Sequence, residues 1–129
     1  MKEKTGTKPT AAELEILNII WKHGPCTVRL INDKLNEEKK VGYTTTLKIM
    51  QIMADKGLLK RDERQRSHLY RAAVPEKETQ KVLLDKLLDQ AFGGSALKLV
   101  MQALGTHKAS AEEISRIREL LDRLEGGRK

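Results

Sequence analysis

The chain has very few of the side chains that covalent or metal-dependent chemistry requires. Its 129 residues include one cysteine, which excludes an internal disulfide, and Cys26 is predicted to be a small buried or half-buried side chain beside apolar helices. The three histidines, His23, His68 and His107, lie far apart in the sequence and show no metal-ligand spacing. We therefore predict no cofactor and no metal site.

Catalytic motifs and long apolar runs are missing as well. The sequence contains no glycine-rich phosphate loop, nucleophile elbow or zinc-protease pattern. Its longest apolar runs are far shorter than a membrane-spanning helix, and its first ten residues, MKEKTGTKPT, lack the apolar stretch of a secretory signal. We therefore expect a cytoplasmic protein that is not an enzyme and does not insert into a membrane. A metal-dependent enzyme that brings the histidines together by folding is an open alternative.

Positive charge is in excess, and it is unevenly distributed. The formal net charge is +7. Residues 1–74 contain 15 Lys and Arg against 9 Asp and Glu, a balance of +6, whereas residues 75–129 contain 10 against 9, a balance of +1. This asymmetry predicts that an anionic partner binds the first part of the chain. Nucleic acid fits better than a membrane surface, because no segment combines a basic face with a bulky aromatic one.

Residues 42–57 form the most informative helical pattern. With Thr46 taken as the inward direction, the residues that return to the same side at helical spacing are Ile49, Met50, Met53 and Gly57. The residues that then point outward are Thr44, Lys48, Gln51, Ile52 and Asp55. Thr, Lys and Gln on one face suit a DNA major groove, where they contact thymine methyl groups and purine acceptors. A core helix with hydroxyl groups for capping is the alternative for this segment alone.

The two ends of this helix carry further signals. Gly42 is predicted as the N-cap, which places the amides of Tyr43, Thr44 and Thr45 where a phosphate oxygen binds. Gly57 fits the C-cap. The residues predicted to contact DNA, including the hairpin tip described next, are Tyr43, Thr44, Thr45, Lys48, Gln51, Arg64 and Arg66.

A basic hairpin is predicted directly after the helix. Residues 58–63 and 67–74 alternate as two strands around Arg64-Gln65-Arg66. A charged turn alone is usually just solvated. Because this turn follows a candidate recognition helix, it lies where a wing meets the phosphate backbone.

Two helices are predicted before this pair. Thr10 and Glu13 form a capping box for the first helix. Thr27 can cap a second helix, in which Val28 and Ile31 begin an inward stripe. The second helix and the helix after Gly42 then form a helix-turn-helix with a longer connection than the simplest members have. The predicted fold is mainly α with a small β-hairpin wing.

Leucine dominates the chain after Pro75. Three short amphipathic helices are predicted, with Gly93, Gly94, Gly105 and Gly126 at their ends and Ser95 and Ser110 as N-caps. We predict a winged-helix DNA-binding domain over residues 8–74 and a helical dimerisation domain over residues 75–126. The predicted dimer contacts are Leu84, Leu87, Leu88, Phe92, Leu97, Val100, Leu104, Ile114, Ile117, Leu121 and Leu124. Packing of these helices back onto the winged domain of a monomer is the alternative.

Several segments together resemble a known family. They are TAAELEILNIIW at 10–21, GYTTT at 42–46, KGLL at 56–59, HLYR at 68–71 and FGG at 92–94. Over residues 8–125 the chain resembles the penicillinase and methicillin-resistance repressors (BlaI/MecI/CopY type). The resemblance implies a homodimeric winged-helix repressor that binds a pseudo-palindromic operator in double-stranded DNA and dimerises through its C-terminal helices. It places Thr44, Thr45 and Lys48 at base-facing positions and Arg64 and Arg66 at the wing tip.

Two departures from the family pattern leave the inducing signal open. Members controlled by β-lactams are inactivated when a membrane sensor protease triggers cleavage of an Asn–Phe bond, but Phe92 follows Ala91 and all asparagines precede residue 37. The paired Cys-x-Cys motifs of the copper-responsive branch are absent. An upstream sensor protease and a β-lactam-resistance-like or peptidase operon are therefore hypotheses. A winged-helix protein-interaction module without specific DNA binding is the alternative function, which the charge asymmetry disfavours.

Overall fold

The computed structural model describes residues 8–64 and 66–127; Gln65 of the predicted hairpin tip lies outside them. Six helices and two strands follow one another along the described chain. They are α1 (Ala11–His23), α2 (Val28–Leu35), α3 (Tyr43–Asp55), β1 (Leu59–Asp62), β2 (Leu69–Ala72), α4 (Glu76–Ala91), α5 (Ala96–Thr106) and α6 (Ala111–Gly126). The predicted mainly helical fold with one antiparallel hairpin is confirmed. The chain divides into two compact units, Met1–Leu84 and Asp85–Lys129.

The first two helices begin at the predicted caps. Thr10 Oγ1 accepts a hydrogen bond from the Glu13 amide at 3.2 Å, and Glu13 Oε1 accepts from the Thr10 amide at 3.0 Å, which completes the capping box. Thr27 Oγ1 accepts from the Leu30 amide at 3.1 Å. Both caps therefore satisfy amides that the helix ends would otherwise leave without partners.

The core of the first unit joins α1, α2, α3 and the hairpin. Its buried apolar residues are Ile16, Leu17, Ile20, Cys26, Val28, Ile31, Leu35, Met50, Met53, Leu58, Leu59 and Tyr70. Cys26 is buried as predicted, and burial raises the pKa of its thiol. Because α3 places Thr46, Met50 and Met53 in this core, the direction of its opposite face is fixed.

The hairpin is shorter than predicted. Its strands are Leu59–Asp62 and Leu69–Ala72, rather than residues 58–63 and 67–74. The amide of Leu58 donates to Met53 O at 2.9 Å in the end of α3, so Leu58 bonds across the hairpin only through its carbonyl oxygen, which accepts from the Ala73 amide at 2.8 Å. At the other end, the Asp62 side chain accepts the Arg64 amide and turns the chain early.

A third short segment completes the sheet. Cys26 N donates to Tyr70 O at 2.9 Å, and Tyr70 N donates to Cys26 O at 2.8 Å. Tyr70 also pairs with Arg61 across the hairpin. Tyr70 therefore lies between two backbone segments, which ties the wing to the loop before α2.

The end of α3 differs from the prediction by one residue. The C-cap is Lys56, and Gly57 follows it with φ of 85°. The amide of Gly57 donates to Ala54 O at 3.1 Å, and the next amide donates to Met53 O. This is the pattern of a Schellman motif, in which glycine adopts the left-handed conformation after the C-cap.

Two asparagines hold the connection between α2 and α3. Asn36 Nδ2 donates to Val41 O at 2.8 Å, and Asn36 Oδ1 accepts from Val41 N at 3.1 Å. Asn32 Nδ2 donates to the buried Thr46 hydroxyl at 2.8 Å. The connection is thus longer than a tight turn but has a defined conformation, which sets the start of α3 relative to α2.

Two of the leucine-rich helices, α5 and α6, begin at the predicted serine caps. Ser95 and Ser110 accept from the amides three residues later, and Ser110 forms a capping box with Glu113. The prediction that Gly105 ends a helix is wrong, because α5 continues to Thr106. A glycine inside a helix costs only about 1 kcal/mol, and the His107 amide still donates to Ala103 O at 3.2 Å. Gly126 is the last residue of α6, at the end of the helix as predicted.

Candidate DNA-binding surface

The outward face of α3 is polar and exposed. Thr44, Lys48 and Gln51 are exposed, on the side of α3 opposite the buried Thr46 and Met50. Ile52, on the same outward side, is 46% exposed, although isoleucine is an unfavourable residue on a plain solvated helix surface. The predicted inward residues Thr46, Met50 and Met53 are buried, and the predicted inward residues Ile49 and Gly57 are half-buried. The geometry suits insertion of α3 into a major groove.

The first turn of α3 presents amides that no side chain caps. Gly42 is the N-cap as predicted, and it provides no side-chain hydrogen bond. Tyr43, Thr44 and Thr45 are exposed around this end. Uncapped amides and the positive end of the helix dipole both favour a phosphate oxygen here.

A cleft of about 660 Å³ connects this end of α3 with the wing. Arg29 from α2, Tyr43 from α3, and Arg66 and His68 from the approach to β2 line it. The Arg29 guanidinium lies 5.8 Å from the centre of the Tyr43 ring, a cation–π distance. The basic side chains of the cleft thus come from α2 and from the segment before β2, and His68 is a member that the sequence pattern did not indicate as a DNA contact.

Arg64 of the predicted wing tip is held by a carboxylate. Arg64 Nη2 donates to Asp62 Oδ2 at 2.7 Å, and Arg64 Nε donates to Asp62 Oδ1 at 3.0 Å. The Arg64 amide also donates to Asp62 Oδ1 at 3.0 Å. The Arg64 guanidinium, and after it this amide, lower the pKa of Asp62 to about 2. Asp62 is therefore ionised at any physiological pH, and the Arg64 charge is locally neutralised.

A second arginine of the wing is paired in the same way. The Arg61 guanidinium forms an ion pair with Glu63. Its hydrogen bond with Tyr70, and next the contact with Glu63, raise the pKa of Arg61. Arg66, in contrast, is exposed and forms no ion pair with any residue in the described part of the chain. The basic residues of the wing thus differ in their availability to an anion.

The lysines near α3 also divide into those that pair with a carboxylate and one that does not. Lys34 pairs with Glu37 at 3.5 Å, and Lys39 pairs with Glu15 at 3.0 Å. Lys48 is exposed and has no carboxylate partner within the described residues. The cation on the outward face of α3 is therefore available to a base edge.

An ion pair between Glu13 and Lys56 stabilises the C-terminal end of α3. Lys56 Nζ donates to Glu13 Oε2 at 2.7 Å and to Oε1 at 2.9 Å, and the Glu13 side chain is 6% exposed. Burial by itself raises the pKa of Glu13, but hydrogen bonds from Lys56 and Thr10 outweigh it, and the pKa lies below its ordinary value. The pair joins the start of α1 to the C-cap of α3. The sequence showed only the capping role of Glu13.

The predicted dimer contacts, apart from Phe92 just after α4, lie on helices with much exposed apolar surface. No residue of α5 or α6 is buried. Leu97 is 68% exposed, Met101 66% and Leu121 57%. Ile114, Ile117, Leu88 and Phe92 are half-buried. Apolar side chains this exposed, at helical spacing, are typical of a surface that another chain covers.

The residues that the structure describes contain no group of three or more His, Cys, Asp or Glu side chains that could hold a metal ion. Within residues 8–64 and 66–127, no helix is both long and apolar enough to cross a membrane.

A three-helix core, a polar third helix and a basic hairpin together define a winged-helix DNA-binding protein. A solved structure with this arrangement is that of a MarR family protein from Bacillus stearothermophilus, with a TM-score of 0.53 and 21% sequence identity. The alignment covers 95% of this chain and 77% of that chain. At this identity the similarity establishes the fold alone.

The sequence identifies the family within this class. The penicillinase repressor family model matches residues 9–123. A penicillinase repressor from Bacillus licheniformis is 23% identical over 111 residues, which span 86% of this chain and 87% of that protein. The chain belongs to the penicillinase repressor family, whose members are DNA-binding transcriptional repressors. The resemblance seen in the sequence and the expectation of a protein that is not an enzyme are confirmed by this match.

Proposed function

We propose that the chain acts as a homodimer that represses transcription by binding a pseudo-palindromic operator. The observation that carries the proposal is the outward face of α3. Thr44, Lys48 and Gln51 are exposed there, while Thr46 on the other side is buried and hydrogen-bonded to Asn32. A helix fixed in this way presents one defined set of side chains to a groove.

We assign different roles to the residues of this surface. Thr44, Thr45, Lys48 and Gln51 read base edges, because Thr, Lys and Gln side chains are suited to groove donors and acceptors. The Tyr43 amide binds phosphate at the start of α3. Arg64 and Arg66 contact the phosphate backbone from the wing. Contacts of this last kind orient the protein on the duplex and contribute affinity for any sequence.

Dimerisation is assigned to the chain after Pro75. We propose that residues 8–74 form the DNA-binding domain and that residues 75–126 form the dimerisation domain. The exposed apolar stripes of α5 and α6 support this assignment. A two-fold dimer would place two copies of α3 about 34 Å apart, one turn of the duplex, so that each reads half of a palindrome.

The proposal for the regulated genes is based on the similarity to a named relative. The Bacillus licheniformis relative is named a penicillinase repressor. A β-lactam-resistance-like operon is therefore the first target to test, and a peptidase operon the second. We propose that the protein acts in the cytoplasm, where its operator is located. An upstream sensor protease is proposed as the inducing partner, although its cleavage site cannot be an Asn–Phe bond in this chain.

Selection of bound sequences from a random duplex pool tests the proposal. The full chain would be used, and the mass of the complex with a selected duplex would be measured by light scattering. We expect a palindromic sequence bound by two copies, with affinity that falls steeply as salt rises. A pool that yields no preferred sequence, or a complex that contains one chain on a full site, would overturn it.

A further inference from the structure

The wing contains a carboxylate that binds Arg64 through two hydrogen bonds, as a phosphate group could. Asp62 is the last residue of β1, and its two oxygens bind Nε and Nη2 of Arg64 as a planar pair. Carboxylate and phosphate oxygens match the guanidinium fork in the same bidentate way. Asp62 therefore occupies Nε and Nη2 of Arg64, the two donors that could otherwise bind a phosphate of the duplex backbone.

We propose that Asp62 is an intramolecular competitor of the DNA phosphate for Arg64, and that it sets the sequence-independent affinity of the wing. This inference rests on the proposed function, since it requires that the wing contact the duplex. A backbone contact by Arg64 must either displace the Asp62 carboxylate or bring it close to a phosphate of the same charge. Both routes weaken binding without reference to base sequence.

The surroundings of the Asp62–Arg64 pair indicate that Asp62 competes with a phosphate for Arg64, rather than only holding the Arg64 side chain in position for DNA. The Arg64 side chain is 88% exposed, so it is open to a phosphate from solvent. Asp62 also accepts the Arg64 amide, so its carboxylate stays at the turn whether or not the guanidinium leaves. Arg71, on the neighbouring strand, further lowers the pKa of Asp62 and so favours the charged carboxylate. The Asp62 carboxylate is thus hydrogen-bonded to the turn and ionised at neutral pH.

The neighbouring pair provides a matched control. Glu63 forms an ion pair with Arg61. It is adjacent to Asp62 in the sequence and carries the same negative charge. Glu63→Gln and Asp62→Asn therefore change the net charge of the wing equally. The first leaves Arg61 its hydrogen bond with Tyr70, whereas the second releases Arg64 from its carboxylate partner. Asparagine at residue 62 can still accept the Arg64 amide, which preserves the turn.

The test compares DNA affinity of five full-length proteins at several salt concentrations. They are the wild type, Asp62→Asn, Glu63→Gln, Arg64→Ala and the double variant Asp62→Asn/Arg64→Ala. Each is measured on the selected palindrome and on an unrelated duplex, and thermal unfolding verifies that each is folded. We expect Asp62→Asn to tighten binding to both duplexes by about three- to tenfold and to steepen the salt slope by about one. Glu63→Gln should change affinity by less than about twofold.

The double variant separates release of Arg64 from a general charge effect. With alanine at residue 64, Asp62→Asn has no guanidinium to release, so the salt slope should stay unchanged. An equal gain in that background, an equal gain from Glu63→Gln, or weaker binding by Asp62→Asn would overturn the inference alone. A wild-type chain that binds neither duplex would overturn the proposed function and this inference with it.

Discussion

Lys48 and Arg66 are two cations that form no ion pair within residues 8–64 and 66–127, and they lie at different places on the candidate DNA-binding surface. Lys48 projects from the outward face of α3, whereas Arg66 lies at the mouth of the cleft beside the wing. A cation that faces the groove discriminates among bases, and one that faces the backbone does not. Their separate locations therefore predict separate effects on binding.

We predict that Lys48→Ala lowers discrimination between the selected palindrome and its single-base variants by about 1–3 kcal/mol at the contacted position. Arg66→Ala should weaken binding to every duplex by a similar factor and reduce the salt slope by about one. Quantitative binding to a panel of duplexes measures both effects. Unchanged discrimination after the Lys48 substitution would remove Lys48 from the base-reading residues.

The Glu13–Lys56 pair leads to a prediction about stability and pH. Lys56→Met leaves a buried carboxylate without its cation, and we expect it to lower the free energy of unfolding by about 1–2 kcal/mol at neutral pH. This is less than for a fully buried pair, because the Lys56 side chain is 33% exposed. Urea unfolding curves of both proteins measure the difference.

The pH dependence of this difference has a defined sign. The pKa of Glu13 is lowered in the folded protein, so the pair contributes fully above the unfolded pKa of about 4.3. Its contribution is lost as the pH falls through the lower folded pKa, because protonated Glu13 no longer attracts Lys56. A difference between the two proteins that persists unchanged in acid would mean that lost packing, not charge, is responsible.

At the scale of elements, the periodic pattern of the sequence was sufficient to predict the helices and their caps. It could not predict the hydrogen bonds and ion pairs that join residues far apart in the sequence or that end the strands. The inward side of α3 follows from helical spacing, and the serine and threonine caps follow from their chemistry. The strand ends were wrong because Leu58 and Asp62 make contacts that do not depend on alternation. The burial of Glu13 was missed because its partner, Lys56, is 43 residues away in the sequence.

The asparagine contacts between α2 and α3 make an element-scale prediction. Asn36→Ala removes both hydrogen bonds to Val41, and we expect a loss of about 1 kcal/mol of stability. Hydrogen exchange of the Val41 amide should become faster. Asn18→Ala is the control, since Asn18 is exposed on α1 and should change stability by less than about 0.5 kcal/mol. Equal effects of the two substitutions would show that the connection does not depend on Asn36.

For the whole molecule, the central prediction concerns the exposed stripe of α6. Leu121→Glu places a charge on the proposed dimer surface, so we expect a monomer by light scattering and about 100-fold weaker binding to the palindrome. Affinity for an isolated half-site should be unchanged. Ser115→Glu introduces the same charge at another exposed position of α6, outside the predicted stripe. A Leu121→Glu protein that stays dimeric would exclude this stripe from the interface.

The hydrogen bond from Trp21 Nε1 to Val74 O, 3.1 Å long, joins the end of α1 to the chain just after the hairpin. Trp21 is the one tryptophan in the sequence, and both tyrosines, Tyr43 and Tyr70, also precede Pro75. Ultraviolet fluorescence will therefore follow the melting of the first unit alone, while far-ultraviolet circular dichroism follows the helices of both. Superimposable transitions from the two spectra would mean that the units unfold together, and separate transitions would give each unit its own melting temperature without any introduced label.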